Sequence, residues 1–259
     1  MAVERWSNWA GNIRSEPNRV ERPESVDALR RVVRDAAKRR ETIRAAGSGH
    51  SFSPVCETSG TLIDLTGIAG IERIDPETGA ATVLAGTKLH ALGGPLLEAG
   101  RALANQGDID RQAIAGAVST GTHGTGRRFG SFSAQITGLE VVTPEGDLVA
   151  IDASEPERFR AARLSIGLLG VLARVTIGTV PAYKLRERCQ AMPFDACLSA
   201  YPAIEAERRN AEFWWLPALD TCVVKAFEES TDEPIHPDAG EHPPGTLERY
   251  LKPEAVDWS

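Results

Sequence analysis

The sequence predicts an α+β fold, and three observations carry that prediction. Helix-like and strand-like runs follow the order helix, strand, strand, hairpin, helix, without the strict alternation a doubly wound sheet requires. Two glycine-rich stretches, Gly47–Phe52 and Asn105–Gly126, interrupt that pattern, and the first comes directly after an apolar run. Beyond Pro181 two further strand-like runs give way to an acidic, Pro- and Gly-rich stretch. With 259 residues, the chain is long for one domain and suits one large domain plus part of another.

Each element has a local reason. Trp6-Ser7-Asn8-Trp9 opens an N-terminal arm, residues 1–13, anchored by two indoles. Val26, Leu29, Val32, Val33 and Ala36 recur at helical spacing after Ser25, a natural N-cap, and Asp27 suits the positive end of the helix dipole. On this reading the arginine pairs Arg30-Arg31 and Arg39-Arg40 sit on that helix as a solvated face. Thr42–Ala46 and Thr61–Leu65 read as compact strands, and Ile71–Ile74 with Ala81–Ala85 as a hairpin around turn formers Asp75–Gly79. A helix from about Lys88 to Glu98 is interrupted or started late at Gly93-Gly94-Pro95, with Gly100 as its stop.

After the second glycine-rich stretch, Ile136–Thr143 and Leu148–Ile151 form a hairpin around Pro144–Asp147, and Pro156–Ala162 a short helix. Leu168–Ile177 is a turn and an apolar strand, and Pro181 a domain boundary. Phe213–Leu216 and Thr221–Lys225 are two strands of a new sheet. Glu228–Thr246 is an exposed connection, and Tyr250, Leu251, Val256 and Trp258 form a final apolar segment with no partner in sight. Two strands and a tail cannot close a core, so this second unit reads as incomplete.

Composition narrows the function. A net charge of −7 disfavours nucleic acid, because phosphate neutralisation needs clustered positive charge. No apolar run is long enough to span a bilayer. The four cysteines, Cys56, Cys189, Cys197 and Cys222, have no metal-ligand spacing, so no metal site is expected. With no signal-peptide pattern at the start, the expected location is cytoplasmic.

The glycine-rich stretches carry the chemistry. In Gly47-Ser48-Gly49-His50-Ser51-Phe52, two glycines permit close backbone approach, and successive free N–H groups form a concavity suited to a pyrophosphate. Taken alone, these residues fit a plain turn at least as well. Asn105–Gly126 combines glycines and hydroxylated side chains with apolar Ile109, Ile114 and Val118, which suits a flat ligand lying against main chain better than it suits disorder. Two nucleotide motifs fail. Gly121 to Gly126 has P-loop spacing, but Arg127 and Arg128 replace the required Lys and Ser or Thr, and Phe52 replaces the third glycine of a Rossmann fingerprint.

Arg44–Phe52, Asn105-Gln106-Gly107-Asp108, Ile114-Ala115-Gly116, Thr120–Gly126 and Leu169-Gly170-Val171, in that order, resemble the vanillyl-alcohol oxidase flavoprotein superfamily. The resemblance covers roughly residues 5–225 and is nearest to the aldonolactone oxidoreductases, the gulonolactone and arabinonolactone oxidases, with alditol oxidase as a relative. It implies a two-subdomain para-cresol methylhydroxylase-type FAD-binding domain at 14–183, divided near 86/87, and the start of an α+β substrate domain at 184–259. It implies that His50 carries the FAD through the flavin's 8α carbon, that the N–H groups of Gly47, Ser48, Gly49, His50 and Ser51 hold the pyrophosphate, that Val171 meets the adenine through its main chain, and that Phe52 and Gly170 also belong to the cofactor site. Asp108, Ala113, Gly116, Thr120, Gly121, Thr122 and His123 match positions along the isoalloxazine and ribityl chain. Gly107 matches a position at the oxygen-reactive edge, where the missing side chain admits oxygen.

The implied reaction passes hydride from the carbinol of a sugar-1,4-lactone to flavin N5, and electrons then to oxygen or another acceptor. The alternatives are an alditol or polyol oxidase, or a flavin-binding fragment without turnover. Relatives continue into a substrate domain with the acid and base residues and a His-Trp-x-Lys segment, and no His-Trp pair occurs here. No catalytic residue is therefore assigned. The expectation is a truncated form, a proteolysis product or a natural fragment, whose missing half is a further partner.

Overall fold

The computed structural model describes residues 5–232. Of the connection expected over Glu228–Thr246, Glu228, Glu229 and Ser230 instead end a strand, paired with Arg186, Leu185 and Lys184, because charged side chains on an edge-facing stretch hid its pairing. Residues 233 onward, with Tyr250, Leu251, Val256 and Trp258, lie outside the described residues. The chain forms two compact units, one made of the chain to Gly124 with Gly130–Ala182, the other of Thr125–Phe129 with the chain from Tyr183.

In the first unit the arm is a small hairpin, β1 (Trp6–Ser7) against β2 (Arg14–Ser15). β3 (Arg19–Glu21) leads into α1 (Val26–Lys38). The Ser25 hydroxyl accepts from the Ala28 N–H, and Leu29, Val33 and Ala36 are the buried stripe. The helix is shorter than the arginine pairs suggested. Arg39 is its C-cap and Arg40 has φ +56°, so the second pair ends the helix and does not decorate its face. β4 (Ile43–Ala46) and β5 (Thr61–Asp64) complete a three-stranded parallel sheet in the order β3-β5-β4. Its central strand buries Thr61, Leu62 and Ile63, as a strand covered on both faces must.

β6 (Ile71–Ile74) and β7 (Ala81–Leu84) form the expected hairpin. α2 (His90–Glu98) runs unbroken through Gly93-Gly94-Pro95, contrary to the expected interruption. Pro95 is the sixth of its nine residues, so the helix goes on without the bond that an N–H there would make to the Ala91 carbonyl. β8 (Arg101–Leu103), α3 (Ile114–Ser119) and α4 (Phe132–Gln135) lead to the second hairpin, β9 (Ile136–Val142) and β10 (Leu148–Asp152). α5 (Pro156–Arg163) precedes β11 (Val171–Ile177), and β12 (Thr179–Pro181) pairs with β8.

The second sheet has the antiparallel order β10-β9-β11-β7-β6. It therefore joins strands from before residue 86 to strands from after it. α1, both sheets and α2, α3 and α5 share one core, including Leu29, Ile63, Val83, Leu92, Ile114, Phe132 and Ile177. Each such side chain contributes about 1.5–3 kcal/mol when fully buried.

The second unit is more complete than two strands. β13 (Lys184–Pro193) and α6 (Phe194–Glu207) precede β14 (Asn210–Leu216) and β15 (Thr221–Ser230), giving a sheet in the order β13-β15-β14. Its core is small: Cys197, Cys222 and Val224, with Met192, Phe194, Ile204 and Phe213 packed around them. Burial, with Cys222 beside it, pushes the Cys197 thiol up to about 12. β13 escaped the sequence reading because Lys184-Leu185-Arg186-Glu187-Arg188 is largely exposed and shows no apolar alternation.

Candidate functional site

The first unit contains a cleft of about 840 Å³, solvent at its mouth included. Three segments converge on it. The first is the turn after β4, which leaves the parallel sheet and supplies Gly47, Ser48, Gly49, His50 and Ser51 to the wall. The second is α3 with its ends, which supplies Ala113, Gly116 and Thr120. The third is the start of β11, with Gly170 and Val171.

Their convergence explains the small residues. A side chain at Gly47 would place its Cβ 2.8 Å from the Ala113 Cβ, so the turn and the helix start meet only because residue 47 is glycine. Gly170, at φ +131°, passes with its Cβ direction 2.6 Å from the Val142 carbonyl oxygen. Gly116 differs: a Cβ there meets nothing within 4 Å, so it bares backbone to the open cleft.

Not every predicted residue reaches the wall. Phe52 is 66% exposed and outside it, and Gly107, Asp108, Gly121, Thr122 and His123 also lie outside it. Thr122 stands directly behind, its hydroxyl accepting from the Gln112 Nε2 at 3.3 Å. The His123 Nδ1 lies 2.9 Å from the Gly124 carbonyl oxygen, the bond of an ordinary loop histidine. A Cβ on Gly107 would stand 3.1 Å from the His123 carbonyl oxygen, a tight contact that would admit an alanine only if the neighbour gave by a few tenths of an ångström.

The failed P-loop is accounted for by chain packing. Gly124 passes the Gln106 carbonyl oxygen at 2.1 Å from its Cβ position, and Gly126, at φ +98°, passes that of Arg209 at 2.4 Å. Both glycines are required by backbone contact.

Several wall residues were not singled out from sequence. Arg44 and Gln112 line the cleft, and the Arg44 Nε and Gln112 Oε1 are buried without a hydrogen-bond partner among the described residues. Such orphaned groups cost about 1–3 kcal/mol each unless a ligand or water completes them. Ile166, also on the wall, has φ +51°, a conformation costly for a β-branched residue and concentrated at functional sites.

Lys88 is the charged residue that sequence reading passed over. Its Nζ donates to the Ser48 hydroxyl at 2.7 Å, and that hydroxyl donates to the Arg111 carbonyl at 2.5 Å. The signal was a lone lysine, Thr87-Lys88-Leu89, two residues past Gly86 at the end of an apolar strand. Burial lowers the Lys88 pKa against the opposing pull of Asp64. Burial, and secondarily the Lys88 charge, lowers that of His50, leaving its imidazole neutral near pH 7.

The donor set fits a dinucleotide with a flat ring. The N–H groups from Ser48 to Ser51 donate to no acceptor among the described residues, and a lysine and an orphaned guanidinium nitrogen flank them. That is the concavity an anionic pyrophosphate fills.

This architecture is that of a flavin-binding domain, and the chain belongs to the FAD binding domain family, whose model matches residues 17–152. A second model, D-arabinono-1,4-lactone oxidase, matches residues 175–252. The chain is 40% identical over 229 residues to the L-gulono-1,4-lactone dehydrogenase of Mycobacterium tuberculosis, covering 88% of this chain and 53% of that protein. It is 36% identical over 224 residues to the D-arabinono-1,4-lactone oxidase of Eremothecium gossypii, covering 85% and 42%. The chain thus spans about half the length of the curated relatives it matches.

In fold it is similar to cholesterol oxidase from Brevibacterium sterolicum, with a TM-score of 0.79 at 22% identity over 89% of this chain and 48% of that one. The expected α+β fold of para-cresol methylhydroxylase type is borne out, as is the resemblance to the aldonolactone oxidoreductases. Among the described residues no helix is long and apolar enough to cross a membrane, and no cluster of His, Cys, Asp and Glu suits a metal.

Proposed function

We propose that the protein is the flavin-holding half of an FAD-dependent aldonolactone oxidoreductase, with the FAD bonded to His50. The observation that carries this reading is the joint placement of the His50 turn, Ala113–Thr120 and Gly170-Val171 on one cleft wall, in a chain of the FAD binding domain family. The substrate class, the carbinol of a sugar-1,4-lactone, follows from similarity to proteins named for gulono- and arabinono-1,4-lactone. Oxygen or another acceptor takes the electrons, and the remaining C-terminal half supplies the acid and base groups.

Bound FAD supplies the two-electron acceptor for the carbinol hydrogen. The residues of this chain do the rest of the holding. The N–H groups from Ser48 to Ser51 bind the pyrophosphate, and Lys88 and Arg44 offset its charge. Gly116 lets the ring lie against main chain, and the Gln112 Oε1 accepts from a cofactor hydroxyl or ring N–H. His50, neutral near pH 7, has a nitrogen lone pair available for bonding.

Acid precipitation of flavin-loaded protein tests the reading. Yellow colour is expected to stay with the polypeptide and to wash away from His50→Ala. If it washes away from well-loaded wild type, the bond to His50 does not exist. If that loaded protein is bleached by neither lactones nor alditols, even with its C-terminal half present, it is a flavin-binding protein without turnover.

A further inference from the structure

The turn that carries His50 is poorly suited to hold it still. Gly47 and Gly49 flank Ser48, Gly49 has φ +66°, and no helix or strand includes residues 47–52. Lys88 and Arg111 tie down Ser48, and what holds the residues on either side of His50 is the N-terminal arm, which lies ahead of the matched family model.

Asn8 is 4% exposed in the hairpin turn between β1 and β2. Its side-chain Oδ1 accepts from the Ile13 N–H at 3.0 Å, and its Nδ2 donates to Asn12 Oδ1 at 2.7 Å and to the Ser51 carbonyl at 2.9 Å. The next residue, Trp9, donates its backbone N–H to the Gly49 carbonyl at 2.8 Å. The carbonyls of the two residues that flank His50, Gly49 and Ser51, are therefore tied to consecutive residues of the arm. The Trp9 indole is 70% exposed, and it lies over the imidazole, ring centroids 5.4 Å apart and planes tilted by 30°. The anchor of the arm is thus the Asn8 amide, and the Trp9 indole faces His50.

The second glycine of the turn answers to the same contact. A Cβ on Gly49 would sit 3.3 Å from the Asn8 Cα and 3.3 Å from the Trp6 ring, so a side chain there would press the arm away. A mere packing segment has no need to grip the residues on both sides of one histidine and cover its ring.

We propose that Asn8 and Trp9 are positioning residues that orient the His50 imidazole for its bond to the flavin. This rests on the reading that His50 carries the cofactor. Forming that bond removes one hydrogen from the 8-methyl group and the imidazole N–H proton; the two electrons released pass through the flavin to dioxygen, which leaves as hydrogen peroxide. The arm contributes orientation, on which such an intramolecular step depends steeply.

The test adds FAD to flavin-free full chain and follows acid-stable flavin with time in wild type, Asn8→Ala, Trp9→Ala and Trp9→Phe. Trp9→Ala and Asn8→Ala should incorporate at least about tenfold more slowly, with Trp9→Phe within about twofold of wild type. Reversible FAD affinity, measured in a His50→Ala background with and without Trp9→Ala, should be nearly unchanged. Because Trp9 is largely exposed, its variants keep the wild-type melting temperature and decide the question even if Asn8→Ala loses its fold.

Incorporation at the wild-type rate in Trp9→Ala overturns the proposal. So does an equal loss of reversible affinity, since the arm would then only build the cleft. If wild type itself takes up no acid-stable flavin, the reading of His50 has failed, and this inference falls with it for that separate reason.

Discussion

The two units hold themselves together by different means, and the difference shows which one can build a binding site by itself. In the first, two sheets and their helices enclose a continuous apolar core, and the cleft is cut from main chain at glycine contacts. In the second, a three-stranded sheet and one helix share a core of three buried residues, while charged side chains cross the strands. Glu228 alone meets Arg208 at 2.7 Å, Arg188 at 3.0 Å and Arg186 at 3.7 Å. Lys225 lies 3.6 Å from Glu212, with the Phe227 and Trp214 rings 5.0 and 5.7 Å away. Backbone contacts tolerate no added atom, whereas partly exposed ion pairs tolerate loss.

The contrast should break most visibly at Gly86. A Cβ there would lie 1.8 Å from the Leu65 carbonyl oxygen and 2.8 Å from that of Ile68, so two peptide groups would have to move. Gly86→Ala should cost more than about 3 kcal/mol, beyond the usual range for added core atoms. Val224→Ala, which removes two methyl groups from the small core, should cost roughly 1–3 kcal/mol. Urea denaturation of both variants checks the order; a Gly86 variant as stable as wild type would show that the backbone contact is soft.

A smaller effect separates the units by ligand. Cys56 lines the cleft, and burial raises its thiol pKa against the nearby Arg44 charge; Cys197 is buried in the second unit. Cys197 reacts with an alkylating agent only on local opening, whereas Cys56, half-buried on the cleft wall, is reached by reagent until a ligand covers it. FAD at a hundred times its dissociation constant should slow alkylation of Cys56 by up to about a hundredfold, about 2.7 kcal/mol, while leaving Cys197 unchanged. Equal protection of both would mean that the cofactor stabilises the units as one.

Most of the first unit was legible because its signals are local. Ser25 caps α1, Asp75–Gly79 turns one hairpin, and Pro156 opens α5, each by chemistry confined to a few residues. The turn at Gly47–Ser51 was legible as a pattern, but the arm that grips it was not, because a bond from Asn8 to Ser51 spans 43 residues. Arg44 and Lys88 were missed for a related reason: each is a single charge in an apolar run, and only the fold brings it to the cleft. The second unit was half legible. β14 and β15 show apolar runs, whereas β13 is held by Arg188 and its partners, which look like solvated surface in a sequence.

The ion pairs of that second sheet give the smallest effect and the finest test of the comparison. Hydrogen bonding from Arg188, and secondarily the charges of Arg188, Arg208 and Arg186, hold the Glu228 carboxyl below its ordinary value of 4.5, against a smaller opposing cost of burial. A depressed carboxylate pKa stabilises the fold at pH above the unfolded value, and that contribution fades as pH falls through the folded one. Amide hydrogen exchange along β13 and β15 should therefore accelerate below pH 4.5 beyond its intrinsic pH trend, with that of β9 and β11 as the internal control. Glu228→Gln should remove most of this acceleration and cost about 0.5–1 kcal/mol at neutral pH, the scale of partly exposed pairs. A cost of several kcal/mol would instead mean that Glu228 supports the second unit as stringently as Gly86 supports the first.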